Sequence, residues 1–144
     1  MGIFSLFGKA KKDKQFETAK EIASQISDIA NNFLLLELMA YDTDNLPDRA
    51  TDKWSLGFVA GVIDALLDGK NLQPNSIEGR IVMIMVYTRI FGSSSYSETS
   101  QSLWKSSDAT FFEGMKAGGN DIIGFNNESN PIPRAWFDHI KNKD

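Results

Sequence analysis

The chain has no cysteine and a single histidine, His139. Disulfides, thiolate nucleophiles, zinc-finger ligand sets and iron–sulfur clusters are excluded together, as is any mechanism that needs two histidines. The lack of cysteine also fits a reducing cytoplasm. Long hydrophobic runs are missing too. The longest, Ile81–Tyr87, is far shorter than the ~20 residues that cross a bilayer. Nor is there a basic excess: the net charge is −4 and the isoelectric point near 5.0. A nucleic-acid-binding domain usually carries a basic face, and here only the first residues are basic, so no nucleic-acid partner is expected.

What is present describes one ordinary domain. A chain of 144 residues, 42% hydrophobic and 24% charged, is long enough to bury a sizeable core and is neither disordered nor fibrous in composition. Residues 1–14 form a basic and apolar appendix, expected to be flexible, ahead of a single helical domain over 15–144. Phe4 and Phe7 precede Lys9, Lys11 and Lys12, the wrong order for a secretory signal. Leu6 stands where a myristoylation pattern has Ser or Thr. The same residues could touch an anionic membrane surface weakly and reversibly, each lysine contributing about 1 kcal/mol; the alternative is a frayed end.

Apolar periodicity predicts an all-α fold of about four main helices and a short C-terminal one. Helix one runs from about Lys14 to Tyr41 and ends in the turn residues Asp42–Asp48. Helix two runs from Asp48 or Thr51 to Asp68, with Gly69 as its C-terminal cap. Helix three spans 75–91, capped by Asn75 with Glu78 closing a capping box, and stopped by Gly92. Apolar on nearly every side, it is expected to be the central helix. The serine-rich stretch 93–107 is a surface connection, or holds a short helix around Glu98–Lys105. Helix four starts near Asp108. Its spacing continues across Gly118 and Gly119, but the run Gly-Gly-Asn-Asp favours a break there. Trp136, Phe137 and Ile140 dock a last short helix. No internal repeat is evident.

Glu37 breaks the pattern. At ~100° per residue it falls in the apolar stripe of helix one with Ile22, Ile26 and Phe33. A carboxylate there must be hydrogen-bonded, paired or neutral. Arg80 and the Tyr87 hydroxyl, on one stripe of helix three, are the expected partners, and Glu37→Gln is then costly if it leaves Arg80 buried and unpaired. The other reading makes Glu37 a cavity residue whose pKa is raised by desolvation. A second feature is the face of helix two bearing Gly57, Gly61, Asp64 and Asp68. Glycines four apart let another backbone approach, so this face is a candidate for contact with a helix or a partner; the alternative is a solvent face with tolerated glycines.

Catalytic patterns are weak. Gly69-Lys70 lacks the spacing and hydroxyl of a phosphate loop. A di-metal bundle needs Glu-x-x-His pairs, and none exists. A serine hydrolase would need His139, at the chain end beside Asp138, as its base. No metal or cofactor is expected. The reading that remains is a small acidic helical interaction protein without catalytic activity, in the cytoplasm, binding a protein partner or itself. An immunity or antitoxin-like role is one version, because an acidic surface can complement a basic toxin. The alternatives are a peripheral membrane accessory acting through residues 1–14, and a small-ligand protein or enzyme centred on Glu37.

Overall fold

The computed structural model describes the backbone of residues 2–142 and the side chains of 13–142. The fold is all-α: α1 (Gly2–Glu37), a 3₁₀ turn (Asp48–Thr51), α2 (Lys53–Asp68), α3 (Ile77–Phe91), α4 (Ser95–Lys105), α5 (Ala109–Asn126) and α6 (Ala135–Lys141). Among the described residues there is no strand, and no helix is long and apolar enough to cross a membrane. The side chains of Phe4, Phe7, Lys9, Lys11 and Lys12 lie outside the described residues.

The central helix is α2, not α3. Every α2 residue from Ser55 to Ile63 is buried. On α3, by contrast, Ile77 and Ile84 are half exposed and Met85 reaches solvent. Hydrophobicity alone misleads because α2 is covered through its smallest residues. A Cβ added to Gly57 or Gly61 would sit 2.0 Å from the backbone oxygens of Phe111 and Met115. The seam is reciprocal: a Cβ on Gly114 would meet the Trp54 oxygen at 2.0 Å, and one on Gly118 the Phe58 oxygen at 2.1 Å. Two backbones touch along two turns, a distance at which Cα–H groups meet carbonyl oxygens directly. Residue numbers rise together along both helices, so α2 and α5 run parallel.

This contact settles two further points. The face bearing Gly57 and Gly61 is closed by α5 within the same chain, so its glycines cannot receive an outside partner; Asp64 is half-buried and Asp68 exposed beyond it. And α5 is continuous through Gly118 and Gly119, against the expected break. The tertiary contact across the seam outweighs the roughly 1 kcal/mol that each interior glycine costs a helix.

The seam also exposes a repeat that hydropathy hides. Trp54, Gly57, Ala60, Gly61 and Asp64 recur as Phe111, Gly114, Ala117, Gly118 and Asp121, each 57 positions on. The outer helices also pack side by side. Thr18 and Ala19 of α1 lie by Ile77 and Glu78 of α3, and the Ser27 hydroxyl lies 3.8 Å from the Met85 sulfur. Thus α1 and α3 are parallel as well.

Local chemistry sets the ends. Asp52 caps α2 through the Ser55 amide at 2.8 Å, and Asp108 caps α5 through the Phe111 amide at 3.0 Å. That bond lowers the Asp108 pKa, and Lys53, 3.2 Å away, adds to the effect. Ser76, not Asn75, caps α3, accepting from the Gly79 amide at 3.0 Å. With Ser76 as cap the third helical residue is Gly79, so Glu78 cannot close a capping box. Gly92 ends α3 with φ 78°, as expected. Gly69 does not end α2 in the expected way, having φ −62°. The left-handed residue is Asn71, φ 57°; its amide bonds the Asp68 oxygen and the Leu72 amide the Leu67 oxygen, the paired bonds of a Schellman ending. Helix α1 stops at Glu37, with Leu38–Tyr41 in tight turns. The serine-rich segment contributes the full helix α4.

Candidate functional site

Glu37 is 2% exposed and does not meet Arg80 or Tyr87. Its Oε1 accepts the Trp136 amide at 2.8 Å, and the Phe137 amide also points to it. These are amides of the first turn of α6, a helix whose own N-terminal residue, Arg134, provides no side-chain cap. Such amides have no partner within the helix. The buried carboxyl of α1 therefore caps α6 from 99 residues away, which explains both its burial and why the C-terminal helix docks here.

Beside it lies Asp121, 7% exposed, whose Oδ1 accepts from the Asn130 side chain at 2.7 Å. One oxygen of each acid, Glu37 Oε2 and Asp121 Oδ2, is buried without a partner. Two carboxylates with facing empty oxygens repel, whereas a proton placed between them makes one hydrogen bond and removes one charge. Burial first, then the Asp121 charge, raises the Glu37 pKa to about 9. At neutral pH Glu37 is thus the protonated member, donating to Asp121. The repeat sharpens the point. Asp64 occupies the position equivalent to Asp121 but remains half-exposed, its pKa raised by partial burial and then by Asp68. Asp121 is buried because the turn after α5, carrying Asn130, and helix α6 fold over it.

The other expected partners are placed elsewhere. Tyr87 is fully buried and its hydroxyl donates to the Leu56 carbonyl at 2.5 Å, tying α3 to α2; burial pushes its phenol pKa upward. Tyr87→Phe should cost about 1 kcal/mol, read as a lower urea midpoint with an unchanged helical spectrum. Arg80 is exposed. Its side chain lines a surface recess with Met83, Gln101 and Trp104 instead of entering the core.

His139 is partly buried despite its position near the chain end. It stacks on Trp54, ring centroids 4.1 Å apart, and its Nε2 lies 2.8 Å from Asp52 Oδ2. Arg49 Nη2 lies 3.3 Å from its Nδ1. A guanidinium can only donate, so Nδ1 accepts and Nε2–H donates to Asp52. The imidazole latches α6 to the start of α2, while Trp136 fills the core between Phe58 and Phe91. The signal that could have revealed this is the spacing of Trp136, His139 and Ile140, one face of a short helix.

Taken together, these groups hold a helix in place and do not converge on a cavity. Among the described residues no cluster of three or more His, Cys, Asp or Glu is placed to hold a metal ion. Comparison with protein families, with curated proteins and with solved structures finds no match for this chain.

Proposed function

We infer that the chain is a helical interaction protein that receives a partner's helix along the outer edge of α1. One observation carries this reading. Ile22, Ile29 and Leu36 recur every seven residues on α1, flanking the core-facing stripe. Ile22 is half-buried, Ile29 is 47% exposed and Leu36 45%. Gln25 and Asn32 lie between them, exposed, and Met39 follows at 77%. This is the three-and-four alternation of a helix seam, with polar residues at intermediate positions that fix register at some cost in affinity. Large apolar residues left in water in such a row mark contact surfaces. The overall acidity favours a partner whose flanking residues are basic.

The test compares the wild type with Ile29→Glu/Leu36→Glu in affinity capture from cells of the source organism. Both positions are exposed, so the variant should keep its helical spectrum and unfolding midpoint. A protein held by the wild type and lost from the variant supports the reading. Equal retention by both, or no captured protein, overturns it.

A further inference from the structure

Arg80, freed of the role expected for it, lies at the edge of a recess of about 680 Å³ between the α2–α3 connection, α3 and the end of α4. Lys105 faces the same space, with Gln101, Ser102, Met83 and Trp104. We propose that this recess binds a small anion carried on a flat aromatic body, its charge held by Arg80 and Lys105 and its ring against Trp104 and Met83.

The volume is that of a small-molecule site, and its combination of apolar walls with a few polar groups is the usual one. Charge distribution supports the sign of the ligand. In a chain of net charge −4, the recess is lined by two cations and by no aspartate or glutamate. Neither cation forms an ion pair with a described residue. Two cations held on separate helices repel each other weakly through water, and an anion between them removes that repulsion. An arginine offers a planar donor fork suited to carboxylate or phosphate, while lysine acts as a point charge. The amide of Gln101 and hydroxyl of Ser102 add neutral donors. Trp104 is half-buried and is held by Phe111, centroids 6.3 Å apart, so its ring is a fixed wall. Carboxylate and phosphate sources share this chemistry.

Calorimetric titration with AMP and with benzoate separates the two sources, with adenosine and inorganic phosphate as half-ligands. The indole resonance of Trp104, assigned by its loss in Trp104→Phe, locates binding. The expected result is saturable binding of AMP or benzoate that is at least tenfold weaker in Arg80→Gln/Lys105→Gln and unchanged in Lys20→Gln, an exposed lysine that does not line the recess. Both half-ligands should bind more weakly than the parent. If neither aromatic anion binds at millimolar concentration, or if the double variant binds equally well, the proposal fails. Since both side chains are exposed, the variant's fold is expected to be intact, which its circular dichroism spectrum checks. The α1-edge reading is untouched by either outcome.

Discussion

Gly118→Ala should lower the unfolding free energy by about 3 kcal/mol or more, at the upper end of what an overpacked methyl costs. Gly119→Ala, one residue on, should raise it by about 1 kcal/mol. The two substitutions add the same atom to the same helix. At Gly118 the new carbon lands 2.1 Å from the Phe58 carbonyl oxygen, and the next nearest atoms are also Phe58 backbone. No rotamer change relieves a backbone clash, so α2 and α5 must separate, and every side chain interleaved along the seam loses contact. At Gly119 the nearest atom, the Gly61 oxygen, is 3.7 Å away, an ordinary contact, so the alanine only restricts the unfolded chain. Urea unfolding followed at 222 nm measures both. Gly114→Ala should behave like Gly118→Ala, since its added carbon meets the Trp54 oxygen at 2.0 Å. Equal effects at positions 118 and 119 would mean that the helices do not touch through their backbones.

The same seam shows where sequence reading succeeds and where it stops. Helix identity follows from 3.6-residue periodicity and caps, and Asp108, Gly92 and the apolar face of the last helix are where that reasoning puts them. Burial order does not follow, because it depends on which surface is covered and not on how apolar a helix is. Helix α3 carries more large apolar residues, yet α2 is central because Gly57 and Gly61 let α5 lie against its backbone. The glycines admitted a helix, a partner or plain solvent, and only the matching glycines of α5, 57 positions later, identify the occupant. The repeat went unseen because its two copies share small residues and one aspartate, which hydropathy weights lightly. Glu37 was visible as an anomaly, but its contacts come from residues 84 and 99 positions away. Arg80 and Tyr87 were attractive partners on charge and stripe position; a capping role for the amides of a seven-residue helix leaves no side-chain signal to find.

Glu37→Gln should be nearly neutral at pH 5 and clearly stabilising at pH 8 to 9, the reverse of what loss of a buried ion pair would give. Glutamine keeps an oxygen to accept the Trp136 amide and gains an amide that donates to the empty Asp121 oxygen, reproducing the protonated pair at every pH. In the wild type the Glu37 carboxyl stays protonated up to about 9 in the folded chain but ionises near 4.5 when unfolded. Between those values the folded state holds one more proton, so this group's contribution to stability is complete below about pH 4.5 and is lost as pH rises toward 9. The loss amounts to at most one proton's linkage, roughly 1 kcal/mol per pH unit. Glutamine removes that slope. Glu37→Ala should instead cost about 3 kcal/mol at neutral pH, because it opens a cavity and leaves both the α6 amides and Asp121 buried without a partner. Urea midpoints for the three proteins from pH 5 to 9 test the whole arrangement. Parallel pH profiles for the wild type and Glu37→Gln would show that no proton is shared between Glu37 and Asp121. A flat glutamine profile that overtakes the wild type as pH rises would place that proton between α1 and α5, where it lets the acid of one helix cap another without an opposing charge.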